Sequence, residues 1–143
     1  MREAPCGKIV LTATLNNYES FMAFIDGQLF NLEIDESDKT KILTACEEII
    51  VNVIHYAYSN HEDNLEILFE YDLHNVIVTF IDSGKAFNPI AIPDADITLS
   101  LDEREVGGLG ILMVKKLMDE VKYEYRNNQN VFTIIKYITM KLI

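Results

Sequence analysis

Three short stretches of the chain hold side chains whose types and spacing can do chemistry. In CEEIIVNVIHYAY, Glu48 and Asn52 lie four positions apart, so on a helix they share one side at the flank of the apolar stripe. A carboxylate placed there can take a proton from a hydroxyl or a water. The amide oxygen of Asn52 is a hard ligand suited to Mg²⁺, an ion that usually keeps waters and substrate phosphates in its shell. In IDSGKAFNP, Asp82 ends an apolar strand, where an unpaired carboxylate is costly to desolvate. A ligand amine such as that of adenine offers it a partner, while Gly84 lets the backbone approach a base and Phe87 supplies apolar surface. In GGLGILMVKKLM, Gly107, Gly108, Leu109 and Gly110 precede a helix and put free N–H groups at its positive dipole end, a suitable place for an anion.

Taken singly, each stretch also has a plain structural reading. Glu and Asn one turn apart are common on solvated helix faces, and Asp-Ser-Gly is ordinary turn chemistry. The glycines do not form a GxxxxGK[ST] loop or a strand-GxGxxG-helix unit, and the protein-kinase catalytic-loop and metal-binding triplets are absent from the chain. If phosphates bind here, they do so in another fold.

The elements that must position these groups follow from periodicity. Alternation over 8–14 suits a first strand, and Asn16 with Glu19 resembles a capping box for a helix carrying Phe21, Phe24, Ile25, Leu29 and Leu32 and ending near Glu33, with Gly27 its weak spot. Asp35 or Ser37 caps a second helix, striped by Ile42, Cys46, Ile49, Ile50, Val53 and Ala57 and running to about Ser59. NLEILFEYD and VIVTFID, separated by Leu73-His74-Asn75, form a hairpin, and 83–108 reads as a long irregular loop of the kind usually found where function demands it. After the glycines come a third helix and two strands, VKYEYR and VFTIIKYI, joined by a turn at NNQN. The order β-α-α-β-β-loop-α-β-β predicts an α+β two-layer sandwich: a mixed, mostly antiparallel sheet with the helices on one face.

The chain has 143 residues, close to one ordinary domain, and no linker, repeat or low-complexity tract divides it. A single domain over 1–143 is expected, with its core at about 8–138. The formal net charge of −11 works against an unassisted grip on nucleic acid or an anionic bilayer. No apolar run has the length to span a membrane, so the expected location is the cytoplasm. Cys6 falls near the terminus and Cys46 inside an apolar helical pattern, so no disulfide framework is expected, and two isolated thiols without clustered His, Cys or carboxylates do not make the four-ligand set of a structural zinc.

Read together, the three stretches resemble the N, G1 and G2 boxes of the Bergerat ATP-binding fold shared by histidine kinases, gyrase and their chaperone relatives. Within that superfamily the resemblance is to the stand-alone bacterial anti-sigma-factor serine/threonine kinases, and it runs over about 8–136. The resemblance implies ATP and Mg²⁺ as cofactors, Glu48 as general base, Asn52 as the Mg²⁺ ligand, and Asp82 with Gly84 at the adenine amine. It makes Gly108 and Gly110 the lid glycines, and aligns Arg104 loosely as a cation for the terminal phosphate. As partners it implies an anti-sigma-factor antagonist with a STAS-type domain, with a sigma factor as a further candidate, and a homodimer as in relatives. Two departures accompany it. His55 and Tyr56 stand where relatives often carry a basic residue and then His, and Val131 stands at the turn exit where a small hydroxyl residue is common, which leaves the orientation of Thr133 open. A nucleotide-gated binding module without transfer, and an α+β domain with accidental boxes, are the competing readings.

Overall fold

The computed structural model describes residues 7–57, 63–84, 86 and 108–141. Five strands, β1 (Gly7–Thr12), β2 (Asn64–Tyr71), β3 (Asn75–Asp82), β4 (Glu120–Arg126) and β5 (Gln129–Tyr137), form one sheet in the order β1-β2-β3-β5-β4. The α+β class is as expected, but among the described residues the sheet is not mixed, because all four pairings there are antiparallel. The reason lies in the crossover. The chain leaves β3, passes through helix α3 (Gly108–Leu117) and lays β4 at the sheet edge, one strand away from β3. The slot between them is then filled by β5 returning in the opposite direction, so β3 and β4 never meet.

Alternation along the strands sends one face of the sheet toward the helices. Leu65, Ile67 and Phe69 of β2, Val76, Val78 and Phe80 of β3, and Phe132 and Ile134 of β5 lie in one core. The same core takes Phe21, Ile25 and Leu29 from α1 (Tyr18–Phe30), Ile42, Cys46, Ile49 and Ile50 from α2 (Glu36–Asn52), and Val114 from α3. Each such side chain contributes about 1.5–3 kcal/mol when fully buried. Three of them on α1 therefore outweigh the cost of about 1 kcal/mol that Gly27 imposes in a helix interior. Helix α2 packs against both α1 and α3, which makes it the middle of the helical layer.

The helix starts differ from the expected caps. Leu15–Asn17 forms a 3₁₀ turn, and Asn17 rather than Asn16 flanks α1, its amide donating to the Thr12 carbonyl at 2.8 Å instead of capping the helix. Asp35 does flank α2, but its carboxylate makes no capping bond and faces the Lys141 ammonium at 3.4 Å. The second helix also stops being regular at Asn52, and Val53–Ala57 continues as a π-helical turn rather than as α-helix to Ser59.

The two hairpins close differently, one through a side chain and one through backbone conformation. Asp72 Oδ1 accepts the backbone N–H groups of His74 and Asn75, both at 2.8 Å, and these bonds hold its carboxyl below the usual range. Between β4 and β5, Asn127 and Asn128 have φ of 53° and 61°, the left-handed pair that a two-residue turn requires and that asparagine tolerates. No helix among the described residues is long and apolar enough to cross a membrane.

Candidate functional site

Asp82 is the last residue of β3 and lies on the core side of the sheet, where it is 7% exposed. Directly opposite it in register is Asn130 of β5, 6% exposed. The Asn130 Nδ2 donates to Asp82 Oδ1 at 2.9 Å and to the Gly84 carbonyl at 3.3 Å. The Gly84 N–H also donates to Asp82 Oδ1, at 2.9 Å, and the Tyr123 hydroxyl of β4 donates to Asn130 Oδ1 at 2.5 Å. Burial pushes the Asp82 carboxyl above its usual range and the Asp63 charge adds to this, while the bonds from Asn130 and Gly84 pull the other way. The hydrogen bonds that described residues donate to Asp82 all arrive at one oxygen, Oδ1. An adenine amine would therefore meet the carboxylate at its other oxygen.

Asn130 is the functional candidate that reading the sequence missed, because NNQN was assigned wholly to the turn. The signal was present. Counting back by twos from the core residues Ile134 and Phe132 puts Asn130 on the core face, opposite the end of β3. The same count settles Val131 and Thr133. They pair with Ile81 and Thr79 on the other face of the sheet, so neither side chain reaches Asp82.

The second group joins α2 to α3. Glu48 and Asn52 are both half-buried and share one side of α2, with Asn52 its last residue before the π turn. Gly110 lies buried in the first turn of α3, and a Cβ built there would stand 2.5 Å from Glu48 Oε2 and 3.4 Å from Glu48 Cδ. The missing side chain at 110 is what leaves room for the carboxylate. Gly108 begins the helix, so its N–H and those of Leu109 and Gly110 fall in the turn where backbone donors lack intrahelical partners. On the opposite flank, the Tyr18 phenol of α1 is pushed up by burial first and then by its hydrogen bond to Glu47 and the charges of Glu47, Glu48 and Glu19.

Among the described residues no cluster of three or more His, Cys, Asp or Glu side chains could hold a metal by itself. The donor set at α2, one amide oxygen beside a carboxylate, suits an ion that brings its own waters and phosphate oxygens. Mg²⁺ fits that description. Phe87 and Arg104 lie outside the described residues, as do Gly107 and the side chain of Leu109. Cys46 is fully buried in the core and its thiol is pushed far up by desolvation, which makes it an inert packing residue.

Comparison with known proteins gives a consistent picture. Residues 11–136 match the histidine kinase-like ATPase domain. The chain is 30% identical over 105 residues to the serine-protein kinase RsbW of Listeria monocytogenes, an alignment covering 69% of this chain and 66% of that protein. It is 24% identical over 97 residues to the serine/threonine-protein kinase BtrW of Bordetella bronchiseptica, covering 66% of this chain and 68% of the relative. The chain thus spans just under two thirds of the Listeria kinase and slightly more of the Bordetella one. A crystal structure of the RsbU and RsbW domains of a Mycobacterium tuberculosis protein superposes with a TM-score of 0.62 at 18% identity, covering 98% of this chain and 34% of that one, and so shares its fold. With the family match running from β1 through β5, the chain belongs to the histidine kinase-like ATPase domain family, and its relatives there include serine-protein kinases of the RsbW type.

Proposed function

We propose that the chain is a Mg²⁺-ATP-dependent protein serine kinase that acts as an anti-sigma regulatory factor in the cytoplasm. Its substrate in this reading is a serine on an anti-sigma-factor antagonist with a STAS-type domain, and a sigma factor is the second partner it sequesters. The kinase names of its relatives support the transfer chemistry. The observation that carries the reading is the Glu48 carboxylate, half-buried on α2 and lodged against the glycine in the first turn of α3.

Asp82 accepts from the adenine amine through the oxygen that Asn130 and Gly84 leave unoccupied, and Gly84 admits the base edge. Phe87 lends the base apolar surface. The N–H groups of Gly108, Leu109 and Gly110 meet phosphate oxygens at the start of α3, with Arg104 adding a positive charge from the segment before it. Asn52 is the protein ligand for Mg²⁺, which when bound neutralises phosphate charge. Glu48 would take the proton of the serine hydroxyl as the serine oxygen bonds to the terminal phosphorus and the bond from that phosphorus to the bridging oxygen breaks, with ADP as the leaving group. Phosphoryl transfer of this kind is mostly positioning and charge stabilisation, so few groups suffice.

The test is transfer of labelled terminal phosphate from ATP to a purified antagonist domain. Glu48→Gln should lose transfer by at least about 100-fold while keeping ATP affinity within about threefold, as loss of a general base predicts. Equal transfer by that variant would remove Glu48 from the chemistry. Label that appears only in slowly released phosphate would favour the nucleotide-gated binding module. The homodimer is checked by light scattering with and without Mg²⁺-ATP.

A further inference from the structure

An asparagine amide can face a neighbour with its oxygen or with its nitrogen, and the two choices have nearly the same shape. At Asn130 the choice is fixed. The Asp82 carboxylate and the Gly84 carbonyl can only accept, so Nδ2 is the atom turned toward them, and Oδ1 on the other side accepts from the Tyr123 hydroxyl. The same Asp82 oxygen accepts the Gly84 N–H, so rotating the carboxylate would break two hydrogen bonds in a buried place. Unmaking such bonds without water at hand is expensive. The chain Tyr123, Asn130, Asp82 therefore distinguishes two otherwise equivalent oxygens and commits Oδ1 to protein donors, so that a ligand donor would be met by Oδ2.

We propose that Asn130 is a positioning residue for base selection: anchored by Tyr123, it holds Asp82 so that the site takes a base presenting an amine and rejects one presenting a carbonyl oxygen. The inference rests on the reading above that Asp82 meets the base. In one common orientation adenine places an N–H donor at its six position where guanine places an oxygen, with guanine's own donors at N1 and the 2-amine further round the ring, so a fixed, acceptor-only carboxylate attracts the first and repels the second. A site built to hydrogen-bond one of two such groups discriminates strongly because the wrong ligand leaves its buried acceptor unpaired. If the amide merely tied β5 to the exit of β3, loosening it would weaken every nucleotide alike. If it orients Asp82, loosening it changes the ratio.

Dissociation constants for ATP and GTP, each with Mg²⁺, are to be measured by calorimetry for the wild-type protein, Asn130→Ala, Tyr123→Phe and Asp82→Asn. Asn130→Ala should weaken ATP by roughly tenfold or more with GTP changed less than about threefold, so the preference for ATP collapses. Tyr123→Phe removes one oxygen from a half-buried ring, is expected to keep the fold, and should shift the ratio in the same direction by a smaller factor. Parallel losses of both nucleotides, or an unchanged ratio in both variants, would overturn the role of Asn130. If Asp82→Asn abolishes ATP binding while Asn130→Ala and Tyr123→Phe keep the wild-type ratio, the Asp82 reading stands and only the Asn130 role falls. If Asp82→Asn binds ATP as the wild type does, both fall.

Discussion

The two ends of the candidate site are built on different principles. At the end of β3, Asp82 is nearly dry, and its described bonds from Asn130 and Gly84 converge on one oxygen. On α2, Glu48 and Asn52 are half-buried, and no hydrogen bond from a described residue fixes either side chain. What places Glu48 is room, the space left by the absent side chain of Gly110. One end is organised by hydrogen bonds, and the other by the space a glycine leaves. Recognition of a base gains from rigidity, since an acceptor that cannot turn discriminates between donors and acceptors. In the role proposed for Glu48, the final geometry would be completed by the partner that brings the hydroxyl.

The sharpest way to break this contrast is Asp82→Asn. It should weaken ATP binding on the order of 100-fold, about 3 kcal/mol, by removing a charged acceptor. The melting temperature should stay level or rise, because a desolvated charge is removed with it. A fall of many degrees would mean that Asp82 serves the fold rather than a ligand.

Gly110→Ala tests the other end. The new methyl group would stand 2.5 Å from Glu48 Oε2, and the far end of a flexible side chain can move away cheaply. Phosphoryl transfer should fall about tenfold or more through misplacement of the carboxylate, with ATP affinity lowered only about threefold. Alanine is also the better helix former by about 1 kcal/mol, so stability should hold. A loss of binding as large as the loss of transfer would show that residue 110 acts on the nucleotide and not through Glu48.

The smallest effect is on pH dependence. Burial raises the Asp82 carboxyl, so ATP affinity should begin to fall on acidification at a higher pH than an ordinary aspartate would dictate. The sign for stability is opposite. A folded-state value above the unfolded one means that the folded protein binds the proton more readily, so this group's contribution to stability grows as pH falls toward the ordinary value of 3.8 and is lost as pH rises through the raised one. The neighbours that set this balance are Asp63, Asn130 and the Gly84 N–H. On acidification the wild-type ATP affinity should therefore fall while its melting temperature relative to Asp82→Asn rises, since that variant lacks the titrating group.

Much of this layout was legible in the sequence, and the parts that were not have local causes. Strands and helices with regular periods were found, because the stripe through Ile42, Cys46, Ile49 and Ile50 and the alternation through Leu65, Ile67 and Phe69 record burial directly. The caps were misread because Asn17 and Asp35 turn to Thr12 and Lys141, choices made by neighbours from other elements. The absence of parallel pairs was invisible because it depends on which slot β5 enters, a tertiary fact. Glu48, Asp82 and Gly110 stood out through spacing and context, whereas Asn130 was hidden by its neighbours. Two asparagines in the turn made a third look like more of the same, and only its place in the register separates it from them.

The bond from Asn130 to Asp82 joins residues 48 positions apart, and all of α3, β4 and the final turn lie between them in the chain. Because β5 fills the slot between β3 and β4, the base end cannot be completed while the chain is only partly made. At a synthesis rate of roughly 5–20 residues per second, several seconds separate the appearance of Asp82 from that of its partner. A nascent chain stopped before residue 130 would carry Glu48, Asn52 and both glycines of α3 and still lack the oriented acceptor. In the proposed reading, adenine-nucleotide binding is a certificate of synthesis through β5, and a ribosome-stalled series of increasing length should acquire it in one step as that strand emerges.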